Sequence, residues 1–125
     1  MRAFREWATD APDDVTGFVS LTSAPPLPVI PEEWHGEKVA IFVATSAGPV
    51  DDGAGLVAPI RHVAEPIADL LGPMPYNVVQ TLLDPLWGKG THSYFKATNL
   101  AALDDALIDN LVALHAQVPD RKSVV

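Results

Sequence analysis

The chain has 125 residues, of which 48% are hydrophobic, and a formal net charge of −8. This length suits one domain with an ordinary core, and the lack of cysteine excludes disulfides, thiolate metal sites and a cysteine nucleophile. The basic residues are scattered, whereas a nucleic-acid groove needs a basic face that displaces counterions from phosphates. We therefore expect no nucleic-acid partner.

The hydropathy pattern also bears on the compartment. No apolar stretch approaches the roughly 18 residues that cross a bilayer. The charged start of the chain, with Arg2, Arg5 and Glu6, lacks the apolar core of a signal peptide. The sequence therefore predicts a cytoplasmic protein without a membrane partner.

The first half of the chain is predicted to form a short helix and two strands. An aromatic pair three residues apart predicts a helix over 3–8. Apolar and β-branched residues predict a strand over 15–23, and four prolines make 24–31 an extended connector. The run 38–45 is nearly all apolar, which is typical of a strand buried on both faces or central in a sheet.

The second half is predicted to hold three helices and a strand. In chain order these are a helix from Asp51 or Asp52 to Ala64, a short helix over 76–83, a strand over 91–98, and a helix from Leu100 or Asp104 to His115. Consecutive strands without an intervening helix favour the α+β class. We expect one domain over 1–125, with an antiparallel sheet of about three to four strands and helices packed on one face.

Three acidic pairs each precede or open a predicted helix, at Asp13-Asp14, Asp51-Asp52 and Asp104-Asp105. A carboxylate at a helix start accepts free backbone N–H groups and opposes the positive end of the helix dipole. We interpret each pair as a helix cap, in preference to a catalytic role.

The sequence lacks the short motifs that are typical of metal sites, serine nucleophiles and dinucleotide-binding sites. The histidines, at positions 35, 62, 92 and 115, have no metal-ligand spacing such as His-Glu-x-x-His, so we expect no metal site. No serine lies in a Gly-x-Ser-x-Gly elbow, and Gly53-Ala54-Gly55 lacks the third glycine of a dinucleotide fingerprint. The catalytic residues, if the chain has any, are not identified by these patterns.

Two stretches are richer in aromatic and polar groups than a plain core requires. One is 73–80, which includes Tyr76 and Gln80. The other is 91–98, where strand alternation places Tyr94 and Lys96 on the same face. A phenol beside a lysine can bind an anionic or hydroxylated ligand, and the alternative is a solvated sheet face with an extended lysine.

The same stretches carry a resemblance to a known family. The motifs, in order, are Ala58-Pro59-Ile60-Arg61, Pro66, Pro73-Met74-Pro75-Tyr76, Gln80, Asp84, Gly90, Tyr94, Phe95 and Lys96. In this order they resemble the substrate-binding domain of berberine-bridge-enzyme-like FAD-linked oxidoreductases, in which a tryptophan is more usual at the position of Phe95. The resemblance covers almost the whole chain.

The resemblance implies a function. Family members use FAD, often covalently tethered, to oxidise alcohols, sugars or alkaloid-type substrates with oxygen as the acceptor. Their FAD lies mainly in a separate N-terminal domain, and the catalytic base follows the part represented here. The chain is thus expected to be a substrate-domain fragment or remnant, with both ends missing, that neither binds FAD nor catalyses alone.

The resemblance and the residues together give candidates for the site and for partners. The substrate-binding candidates are Tyr76, Gln80, Tyr94 and Lys96. A small-molecule substrate and a flavin-binding partner chain are expected, and an unpaired sheet edge favours a homodimer. The alternative is a stand-alone small-molecule-binding or dimerisation module that has lost redox chemistry. A small independent hydrolase is disfavoured, because no nucleophile motif is present.

Overall fold

A computed structural model describes residues 1–84 and 94–119. Its elements, in chain order, are α1 (Arg2–Asp10), β1 (Val15–Ser23), a 3-10 turn (Glu32–Trp34), β2 (Lys38–Ser46), α2 (Val50–Arg61), α3 (Tyr76–Thr81) and α4 (Asp105–Gln117). The combination of helices with an antiparallel sheet confirms the α+β class.

The two strands pair antiparallel along their whole length, from Val15 opposite Ser46 to Ser23 opposite Lys38. Directly paired residues point to the same face of the sheet, and successive residues point to opposite faces. We name the two faces by what lies on them. The helix face carries Gly17, Val19, Phe42 and Ala44, and the groove face carries Phe18, Val39, Ile41 and Val43.

Helix α1 packs on the helix face through Trp7, which is only 8% exposed. The Trp7 ring stands nearly perpendicular to that of Phe42, with the ring centroids 5.0 Å apart. Its Nε1 donates to the carbonyl oxygen of Leu56 at 2.7 Å, which ties α2 to α1. Position 17 must be glycine for this packing, since a Cβ there would lie 2.7 Å from a ring carbon of Trp7.

Helix α4 contacts β1 and is anchored to the beginning of α1. Ile108 is 1% exposed and is the most deeply buried large side chain in the described residues. Arg5 donates to the Asp105 carboxylate at 2.7 Å, and Arg2 donates to that of Asp109 at 2.6 Å. The four side chains of these ion pairs keep substantial exposure to solvent.

The expected helix caps are found in part. Asp104 caps α4, because its Oδ1 accepts the N–H of Leu107 at 2.8 Å. The Asp51-Asp52 pair lies inside the first turn of α2, whose cap position is Pro49, so it opposes the helix dipole without capping. The Asp13-Asp14 pair precedes β1 and therefore caps no helix.

The expected strand count was too high, because the described residues form a sheet of two strands and not three to four. The third strand was predicted over 91–98. Residues 94–98 have no regular secondary structure, and 91–93 lie outside the described residues. Alternation in the sequence predicts which face of a strand each residue occupies, but it does not predict which strand will pair with it. A segment forms a strand only where its backbone hydrogen-bonds to a neighbouring strand.

Two helices are shorter than predicted at their C-terminal ends. Helix α2 ends at Arg61, not Ala64, with Pro59 inside its last turn. Pro59 has no N–H to bond to a carbonyl one turn earlier, and this weakens the helix end. Helix α3 ends at Thr81 and is followed by a turn.

Candidate functional site

An apolar groove of about 540 Å³ lies beside β2. Its first wall is the strand itself, over 39–45, and β1 adds Phe18. The connector after β1 adds Ala24, Pro25, Leu27, Val29 and Ile30. Opposite are the end of α2 and the segment after it, over 60–72, followed by Met74 and the inward residues of the α3 region, Val79, Leu82 and Leu83. A volume of this size, with a mainly apolar lining, is typical of sites that hold small molecules.

The groove covers the groove face of the sheet, where Phe18 lines it, and reaches the outer edge of β2, the edge that does not face β1. Seven consecutive β2 residues line it, although alternate side chains point to opposite faces, so the strand borders the groove with its edge. At one end of the β1–β2 ladder, the Ala47 N–H donates to the backbone carbonyl oxygen of Asp14 at 3.0 Å. At the other end, the Ala24 N–H donates to the backbone carbonyl oxygen of Glu37 at 2.8 Å. By the antiparallel alternation, the N–H groups of Ala40, Phe42 and Ala44 then point to the outer edge.

A polar clamp closes the loop that forms the opposite wall. Arg61 donates from Nε to Asp69 Oδ2 at 2.7 Å and from Nη2 to Oδ1 at 3.3 Å, and its Nη2 also donates to the carbonyl oxygen of Leu71. The backbone N–H of Leu71 donates to Asp69 Oδ1 at 2.9 Å. The hydrogen bond from Arg61, and to a smaller extent the one from Leu71, lowers the pKa of the Asp69 carboxyl. The clamp stays charged at neutral pH and fixes the wall.

The four predicted substrate-binding residues lie outside the groove lining. Tyr76 opens α3, and Gln80 is one turn further on the same side of that helix; both are exposed. Tyr94 is 89% exposed, and Lys96 is exposed as well. Because residues 94–98 form no strand, the expected placement of Tyr94 and Lys96 on one strand face is not found.

Sequence reasoning missed the groove lining and the clamp. Arg61 and Asp69 are eight residues apart, which is not the spacing of neighbouring residues on a helix or a strand. The sequence therefore gives no local indication that they interact. The apolar residues of 60–72 were attributed to a helical stripe and an irregular segment, and their position opposite β2 is a tertiary contact. The proline motif that contains Met74 was the nearest signal to the groove.

The described residues hold no cluster of histidine and carboxylate side chains suited to a metal ion. Within the same part of the chain, no helix has the length and apolarity needed to span a membrane.

Comparisons of this chain with protein-family models, with curated proteins and with solved structures gave no match. The resemblance to berberine-bridge-enzyme-like oxidoreductases therefore rests on the sequence motifs.

Proposed function

We propose that this chain is the substrate-side piece of an FAD-linked oxidoreductase and that it works in the cytoplasm beside a flavin-binding partner chain. The proposal is supported by a coincidence of motif and geometry. The Pro73-Met74-Pro75-Tyr76 motif, which carries much of the family resemblance, brings Met74 into the wall of the groove and places Tyr76 at the start of α3.

The groove suits the apolar body of a ring-containing or aliphatic alcohol. Its large apolar area contributes binding energy, and a few polar groups nearby fix the orientation of a ligand. Tyr76 and Gln80, on the exposed side of α3, are our candidates for hydrogen bonds to a substrate hydroxyl. Tyr94 and Lys96 remain candidates for contacts to a hydroxyl or an anion.

The same groove does not fit FAD. A flavin dinucleotide needs backbone N–H groups or free cations around its diphosphate. Among the described lining residues the cationic side chain is Arg61, and its guanidinium is bonded to Asp69 and Leu71. The N–H groups on the outer edge of β2 alternate with carbonyl oxygens, which repel a diphosphate. The flavin, which supplies the redox chemistry in this family, is therefore assigned to the partner chain, and the role of this chain is to bind and orient the substrate.

Two measurements on the purified chain test this assignment. After incubation with excess FAD and gel filtration, the protein should be colourless, and a retained flavin absorption band would contradict the proposal. Ligand-observed NMR should then detect binding of benzyl alcohol, used as a probe for an aromatic alcohol. Ile67→Asp, which places a charge in the groove wall, should abolish that binding.

The matched control is Leu114→Asp, on the exposed surface of α4 outside the groove lining. It adds the same charge and should leave the binding of benzyl alcohol unchanged. If the two variants bind the probe equally well, the groove is not the substrate site.

The second candidate, a stand-alone dimerisation module, is favoured by the incomplete core. Among the described residues, the buried hydrophobic side chains are Trp7, Ala24 and Ile108. A chain that leaves so much apolar surface at one sheet edge gains stability when a partner covers it.

A further inference from the structure

Strand β2 has the composition of a strand with neighbours on both sides. Its residues 39–44 are all apolar, yet within the described residues it pairs only with β1. Its other edge presents the N–H groups of Ala40, Phe42 and Ala44 to the apolar groove. An edge of this kind accepts a further strand through main-chain hydrogen bonds, while the groove beside it accepts alternate side chains.

A second part of the chain could supply that further strand. Residues 94–100, which we call the Tyr94 segment, have no regular secondary structure and are exposed throughout. Tyr94 and Phe95 are 89% and 78% exposed, and Leu100 is exposed too. Aromatic residues in an extended segment favour a strand, but no strand in the described chain pairs with this segment.

We propose that the Tyr94 segment of one copy adds as a third strand to the outer edge of β2 in a second copy, with Phe95 in the groove, and that the exchange is reciprocal. Seven residues extend about 23 Å, which fits within the roughly 30 Å of a nine-residue strand such as β2. The exchange requires neither flavin nor substrate, but Phe95 occupies the groove proposed for the substrate, so a second copy and a substrate compete for it.

The area involved suits a specific dimer. In an added strand Phe95 faces the groove, and the adjacent Tyr94 covers the opposite face of the partner's sheet at its edge. An aromatic side chain buries roughly 150–250 Å², so Tyr94 and Phe95 of both copies, with the surfaces they cover on the two faces, give at least roughly 1,200 Å². This reaches the lower limit of about 1,200 Å² for specific interfaces. The two copies each carry a net charge of −8 and repel at long range, but Lys96, the one charged residue of the segment, is a cation and offsets part of this repulsion at the contact.

Sedimentation velocity of the full chain between about 1 and 100 μM tests the proposal. A dimer is expected in this range. Phe95→Asp should raise the dimer dissociation constant at least about tenfold, since it puts a charge into the apolar groove. Ala40→Pro should do the same, because it removes an N–H that points to the outer edge without breaking a bond to β1.

Two control variants separate these effects from general damage. Phe95→Leu keeps an apolar side chain for the groove and should retain the dimer. Leu114→Asp adds a charge on the exposed surface of α4 and should retain it as well. Phe95 is largely exposed in the single chain, so its substitution leaves the fold intact even if Ala40→Pro does not.

Several outcomes would overturn the inference. A monomer across the whole concentration range excludes the dimer. A dimer that resists Phe95→Asp but is lost with Ala40→Pro would mean that two β2 edges pair directly. The proposed function fails separately: if the Phe95→Asp variant, whose groove is no longer filled by a second copy, does not bind benzyl alcohol, the substrate site is contradicted whether or not the dimer forms.

Discussion

The two faces of the β1–β2 sheet are built from alternate residues of the same strands, yet only one of them packs against a buried tryptophan. On the helix face, Trp7 lies against Phe42 and fills the space left by Gly17. On the groove face, Phe18 remains 44% exposed beside an apolar groove. The helix face therefore supplies stability, whereas the apolar surface of the groove is left for a ligand or a partner.

The largest effect that this comparison predicts is that of Trp7→Ala. The substitution removes a buried indole, its edge-to-face contact with Phe42 and its hydrogen bond to Leu56. We expect a loss of about 3–5 kcal/mol in the free energy of unfolding, measured by urea denaturation. Trp34→Ala, at a tryptophan that is 40% exposed, is the control and should cost less. Equal losses would mean that the helix face is not the stabilising side.

Adding a methyl group to a glycine is expected to have a smaller effect on stability, with opposite signs at Gly17 and Gly55. Gly17→Ala would bring a Cβ within 2.7 Å of the Trp7 ring, so we expect a loss of about 1–3 kcal/mol in stability. Gly55→Ala, inside α2, meets no atom within 4 Å and should stabilise the chain by about 0.5–1 kcal/mol. Denaturation midpoints of the two variants would shift in opposite directions. A stable Gly17→Ala variant would show that the contact with Trp7 can relax.

The packed face was largely predictable from the sequence, and the reasons are local. Strand β1 was predicted with its observed bounds and β2 to within one residue, because apolar and β-branched runs are bounded by turn residues. The beginning of α4 was predicted at Leu100 or Asp104, and the second is the observed cap, formed by a side chain within its own segment. In each case the deciding interactions lie within a few residues of the chain.

The groove was much less predictable, because it depends on contacts between distant segments. Tyr76 and Gln80 were predicted to lie near a binding site and do lie on the helix next to the groove, but their binding role stays a prediction. The strand expected around Tyr94 was wrong over its described part, since alternation cannot identify a pairing edge. The Arg61–Asp69 clamp joins two positions whose spacing carries no signal.

The smallest predicted effect is a pH dependence that both regions share. Hydrogen bonds from Arg61 and Leu71 lower the pKa of Asp69 beside the groove, and a hydrogen bond from Arg5 lowers the pKa of Asp105 at α4. A carboxyl whose pKa is lower in the folded chain than in the unfolded chain stabilises the fold above its ordinary pKa near 4. That contribution is lost as the pH falls through the folded pKa. We expect a modest drop in the urea midpoint between about pH 5 and pH 2, since both pairs are solvent-accessible.

Carboxyl-carbon NMR titration can assign this drop to the two regions separately. Arg61→Met should raise the pKa of Asp69 and leave that of Asp105 in place, and Arg5→Met should do the reverse. The shift at Asp69 should be incomplete, because the N–H of Leu71 still donates to its carboxylate. If Arg61→Met moved both pKa values equally, the groove wall and the α1–α4 contact would be coupled. Independent shifts would instead show that the clamp can be altered without disturbing the packed face, so that changes in the groove can be interpreted as changes in binding.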